Sequence, residues 1–192
     1  MTSSEKNTSQ NSLENSPQNS APTSPQNSPK NKGLHHIGLA THDMEKTLEF
    51  YEEVLGFRAV VCELIEPEAG GTIRHAFIDT GNGELFAFME PNDIAGMPDD
   101  FDAGINRGLG IGGGMFHFAF HVDDDEELEA KMQQLVAKGI EVRGIVDHGW
   151  CKSIYFRDPN FLQLEYCCIT EELGDRHTAG RFSDGWTRLA RR

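Results

Sequence analysis

The chain has 192 residues, 38% of them hydrophobic, enough for one domain with a real core and too few for several. Its formal net charge is −14, with no Lys/Arg-rich run able to track phosphates, which argues against nucleic acid and anionic membrane surfaces as partners. No apolar run approaches membrane-spanning length.

Met1 to Lys32 is almost all Ser, Asn, Gln, Pro, Thr, Glu and Lys, with a near repeat (NSPQNS, then SPQNSP). Such a segment cannot bury enough apolar surface to order itself, so residues 1–32 are expected to be a disordered tail. It lacks the apolar middle of a secretory signal. The four cysteines, Cys62, Cys151, Cys167 and Cys168, show no CxxC spacing. A reducing cytoplasm suits them, each acting as a small buried hydrophobe.

From Gly33 the chain reads as two modules, 33–91 and 115–168, with a link at 92–114 and an extension at 169–192. In the first module Leu34 to Thr41 alternates as a strand and Asp43 can cap a helix. Met44, Leu48, Tyr51 and Leu55 share one face of that helix before Gly56 stops it. Strand-like runs follow at Phe57 to Leu64, Thr72 to Thr80 and Glu84 to Glu90. The link contains GLGIGGG from Gly108, but no strand-turn-helix frames it, so it reads as a flexible connection or lid and not as a nucleotide loop.

The second module repeats the order. Phe116 to Val122 is a strand, Asp123 to Asp125 caps a helix, and Leu128, Met132, Leu135 and Val136 form its buried stripe up to Gly139. Strands are expected at Ile140 to Val146, Cys151 to Phe156 and Leu162 to Cys168. Each module is therefore βαβββ, and the chain is of the α+β class. The extension carries Phe182, Trp186 and Leu189 as anchors for the cup or for a partner subunit.

Superposing the modules matches His36-Ile-Gly-Leu with His117-Phe-Ala-Phe, and Asn82-Gly-Glu-Leu-Phe-Ala-Phe with Asn160-Phe-Leu-Gln-Leu-Glu-Tyr. Each first strand carries a His at the same parity, and Ala87 falls opposite Glu165. Within Leu162 to Cys168, Leu162, Leu164 and Tyr166 share one face and Gln163, Glu165 and Cys167 the other. A carboxylate held there needs an arginine, water or a metal beside it. His35 has the opposite parity to His36 and reads as a surface residue, whereas His121 shares the face of His117.

The spacing Val146-x-His148-x5-Ile154-Tyr155-x2-Asp158-Pro159, followed by Glu165, resembles the extradiol ring-cleavage dioxygenase signature of the vicinal oxygen chelate superfamily. Phe161 stands where that family has Gly or Pro. Asp99 to Asp102 occupies the region where two-module relatives carry a further catalytic His. The resemblance implies two βαβββ modules forming paired, cupped mixed sheets around one metal ion. The metal ligands are then His36, His117 and Glu165, with Ala87 leaving the fourth position without a donor. Two His and one carboxylate with open positions form the facial triad associated with Fe(II), with Mn(II), Zn(II) and Ni(II) as the other candidates.

The implied chemistry is cleavage of a small catechol-like aromatic diol by O2. His148 acts as acid/base and Tyr155 hydrogen-bonds the substrate oxygen. A homodimer is the expected assembly. Other readings within the resemblance are a glyoxalase-like lyase, an epimerase, a thiol transferase of the fosfomycin-resistance kind, or a drug-sequestering module that is not an enzyme.

Overall fold

A computed structural model of the chain describes residues 33–174; the expected disordered tail and the anchors Phe182, Trp186 and Leu189 lie outside them. The first strand, β1 (His36–Ala40), turns Leu39 into the core. Asp43 then caps helix α1 (Met44–Glu49), its Oδ1 accepting from the Lys46 amide at 3.0 Å. The helix continues as a π-helical turn (Phe50–Val54), a wider coil that directs the consecutive Phe50 and Tyr51 both inward. Gly56, at φ +80°, ends it in a conformation that a side chain would strain. Strands β2 (Arg58–Ile65), β3 (Thr72–Gly81) and β4 (Glu84–Asn92) complete the first half.

The link holds a short helix, α2 (Ile105–Gly108), and is pinned at several points. Buried Asn106 donates to the carbonyl of Phe116 and accepts from its amide, and Arg107 pairs with Asp102 at 2.6 Å. The second half follows with β5 (Phe118–His121), α3 (Asp125–Ala137), β6 (Arg143–Asp147), β7 (Cys151–Arg157) and β8 (Gln163–Ile169). Two four-stranded mixed sheets result, β1-β4-β3-β2 and β5-β8-β7-β6. In each, the first strand runs parallel to the last. This is the α+β arrangement of two βαβββ units.

One core joins the halves. Tyr51, Phe86 and Phe88 pack in the same cluster as Ile154, Phe156, Leu164 and Tyr166. The rings of Phe57 and Phe120 lie 5.0 Å apart, and those of Phe86 and Phe118 5.1 Å. Two buried polar ties add specificity: Tyr51 donates its hydroxyl to Asp158, and Asn160 donates its amide to Thr47 Oγ1. Asp158 also accepts from the amides of Asn160 and Leu162, which builds the Asp-Pro-Asn turn. Phe161 sits at φ +62°, the left-handed region where glycine is unstrained, and the Arg107 guanidinium lies 3.7 Å over its ring.

Four sequence expectations are corrected. β5 begins at Phe118, because the Phe116 backbone is taken away from the ladder by Asn106, which donates to its carbonyl and accepts from its amide. β6 begins at Arg143, with a register break between Arg143 and Val146. Val136 is 58% exposed: one residue on from Leu135, it is turned out of the stripe of Leu128, Met132 and Leu135. Of the cysteines, all free, Cys62 is exposed and Cys167 half-buried, so only Cys151 and Cys168 behave as buried hydrophobes.

Candidate metal and active site

The register of the two sheets superposes the modules residue for residue. Gly38 pairs with Ala87 where β1 meets β4, and Ala119 pairs with Glu165 where β5 meets β8. His36 and His117 each stand two residues before those pairs. The strand chemistry thus presents the same backbone frame twice, with a carboxylate at only one of the two equivalent positions.

Glu165 is flanked by Leu164 and Tyr166, which both face the core, so pleating turns its carboxylate to the other side. It is only 5% exposed, and His117 is its partner, Nε2 lying 3.0 Å from Oε2. The other ring nitrogen of His117, Nδ1, donates to the Gly114 carbonyl at 2.8 Å. That bond fixes the tautomer, because a carbonyl can only accept. Nε2 of a neutral imidazole then presents a lone pair to the carboxylate. Two acceptors at this distance are stable with a proton between them or with a cation bound to both. An imidazole oriented by a backbone carbonyl is also how ligand histidines are commonly held. On the chemistry of the donors, a divalent cation fits this pair.

His148 follows β6 at the turn into β7, its Nε2 3.0 Å from the hydroxyl of Tyr155. Tyr155 lies directly opposite Glu165 in the β7–β8 register. Its ring centre is 6.3 Å from that of His117. Burial, and then the Glu165 carboxylate, push the Tyr155 pKa up, so the phenol keeps its proton at neutral pH and can donate it in a hydrogen bond. His117, His148 and Tyr155 line one cleft of about 560 Å³.

His36 is exposed at the start of β1, its Nδ1 2.8 Å from Nδ1 of His35 and its ring edge-on to Phe77. The opposite parity expected for His35 does not apply, since it precedes the strand and its ring turns back to His36. His36 lines a smaller cavity of about 220 Å³ whose wall His117 shares. Among the described residues no three His, Cys, Asp or Glu side chains converge on one point where a metal could sit. Within one chain, then, His117 meets Glu165 and His148 meets Tyr155, and His36 does not join either pair. His121 is exposed on β5 and lines neither cavity.

The cleft contains groups that sequence reasoning missed. Arg143, Arg157 and Gln163 line it, as do Gly113 and Gly114 of the glycine-rich link. The signal for Arg157 was present, since it shares the strand parity of Tyr155. Arg143 is brought in by the β6–β7 register, which sets it opposite Tyr155 and which no local pattern specifies.

The sequence model of the Glyoxalase/Bleomycin resistance protein/Dioxygenase superfamily matches residues 33–166. The chain belongs to this superfamily. Its members are also known as vicinal oxygen chelate proteins, and its two-sheet fold is theirs. It is 28% identical over 137 residues to a Bacillus subtilis (strain 168) protein named "Putative ring-cleaving dioxygenase MhqA", a match covering 70% of this chain and 39% of that one. The chain therefore spans less than half the length of that relative. It is 29% identical over 141 residues to YwkD of the same organism, an uncharacterized protein, covering 70% of this chain and 94% of that one. The crystal structure of the fosfomycin resistance protein FosX from Listeria monocytogenes superposes with a TM-score of 0.52 at 21% identity, covering 73% of this chain and 96% of that one. That likeness is one of fold. Among the described residues no helix is long and apolar enough to cross a membrane.

Proposed function

We propose that this vicinal oxygen chelate protein is a metal-dependent extradiol-type dioxygenase acting on a small catechol-like diol. The observation that carries the reading is the pairing of buried Glu165 with His117, whose tautomer is set by Gly114 and which lines the same cleft as the His148–Tyr155 pair. His117 and Glu165 would hold a divalent metal, Fe(II) first among the candidates. His36 would complete the ligand set, and a homodimer that brings the exposed first strand of one copy to the cleft of another offers the route. The metal would supply the electron path between the diol ring and O2.

The chain's own residues do the rest. His148 takes the proton of a diol hydroxyl and later returns one, a role suited to imidazole near neutrality. Tyr155, with its proton retained, hydrogen-bonds the substrate oxygen and steadies the charge left there. The aliphatic wall of Ile140 and Val146 offers an apolar bed for the ring. Metal analysis of protein purified without oxygen, followed by O2 uptake with catechols, tests the reading. One metal per site and a yellow ring-cleavage product are expected. Stoichiometric metal with no O2 uptake would transfer the site to lyase or thiol-transfer chemistry, and a metal-free protein with tight drug binding would make it a sequestering module.

A further inference from the structure

Two guanidinium groups in the cleft have no part in the chemistry above. Lys46, Arg74, Arg107 and Lys152 each hold a carboxylate, yet neither Arg143 nor Arg157 enters an ion pair among the described residues. In a chain of net charge −14, acidic partners are plentiful, so two arginines left free on one wall are notable. Glu141 lines the same cleft and pairs with neither.

The sheet register sets their distance from the proposed chemistry. Arg143 stands opposite Tyr155, and Tyr155 opposite Glu165. Two strand spacings therefore separate Arg143 from Glu165, about 10 Å. Arg157 lies two residues beyond Tyr155 on the same face, opposite Gln163. Its Nη2 closes on the link at Gly113, where an added Cβ would stand 3.4 Å from it and 3.3 Å from Gln163 Oε1. The bare glycine leaves that corner open. Gln163 spends its Nε2 on the Phe156 carbonyl at 2.8 Å and so is fixed in place.

We infer that Arg143 and Arg157 form an anion subsite in this cleft that selects aromatic substrates bearing a carboxylate, with the Arg143 backbone about 10 Å from that of Glu165. A planar guanidinium fork matches the two oxygens of a carboxylate, and a ring with a short acidic side chain spans this distance. The diol end of such a substrate rests on the proposed function; the anion end does not, since it needs neither metal nor turnover.

The test uses the full chain without added metal. Calorimetry compares para-hydroxyphenylacetate with its neutral amide, which has nearly the same shape. The acid should bind about tenfold or more tightly, as expected for charge-assisted hydrogen bonds. That ratio should fall toward one in the Arg143→Gln/Arg157→Gln double variant and recover in part with Lys at both positions. Both arginines are exposed, so the fold should tolerate these changes. Equal binding of acid and amide, or a preference that survives the double variant, would overturn the subsite. Tighter binding of phenylphosphonate than of the carboxylate would overturn the carboxylate assignment. Acid preference without any O2 uptake from the matching catechol acid would support the subsite while the dioxygenase reading failed.

Discussion

The two modules share a strand order, a parallel first-to-last pairing and a register, yet they differ at one matched position: the second has the Glu165 carboxylate where the first has Ala87. Where Ala119 meets Glu165 in one sheet, Gly38 meets Ala87 in the other. Around Glu165 stand His117, Tyr155 and His148; around Ala87 the cross-strand neighbours are Gly38 and Phe77. The two copies repeat one frame, and side chains at a few positions set them apart. The exposed His36 is what the first module keeps of the same pattern.

The sharpest way to break this comparison is to remove one histidine from each module. Under the proposed function His117→Ala and His36→Ala should both abolish stoichiometric metal binding and turnover, read by metal analysis and O2 uptake. Full metal retention in His36→Ala would confine the site to the second module. Next in size, His148→Ala should keep its metal and lose about two to four orders of magnitude in turnover, the usual worth of a general acid/base. Tyr155→Phe should lose about 10²-fold, as for one lost donor to a developing charge.

Stability separates the modules further. His117→Ala leaves the nearly buried Glu165 without its partner and, with the His117 ring itself partly open to solvent, should cost about 1–2 kcal/mol in chemical denaturation. His36→Ala removes an exposed ring and should stay within about 0.5 kcal/mol. The joint between the modules gives a pH signature. Burial lifts the Asp158 carboxyl to about 6 against the hydrogen bonds it accepts, while its unfolded value is near 3.8. Its contribution is therefore complete below pH 3.8 and lost as pH rises through about 6. The loss amounts to about 3 kcal/mol. Asp158→Asn should flatten denaturation midpoints across that window; an unaltered slope would assign it to other groups. Tyr51→Phe, which deletes one donor to Asp158, should cost about 1 kcal/mol.

Much of this frame was legible from residues alone. Period-two alternation announced β1, β3, β4, β7 and β8, and the Asp-led turns announced α1 and α3, because these signals are local. Parity alone aimed Glu165 away from the core. The misses have a common cause. Asn106, in the link, decides where β5 begins; the β6–β7 register decides that Arg143 joins the cleft; the ring of His35, outside the strand, ignores strand parity. Each depends on a partner far along the chain or beyond the end of a regular element.

By itself the sequence determined the duplicated βαβββ order, the equivalence of His36 with His117 and of Ala87 with Glu165, and the signature that ties the chain to its superfamily. Those follow from spacing along one strand or helix, where geometry is set by the backbone. Only the tertiary structure decided that Glu165 is nearly buried against His117, that His148 meets Tyr155, and that two arginines with no ion pair among the described residues line the cleft of His117, His148 and Tyr155. Such meetings arise from how strands register across a sheet and how a link is tied down, and these are fixed by the sum of many weak contacts.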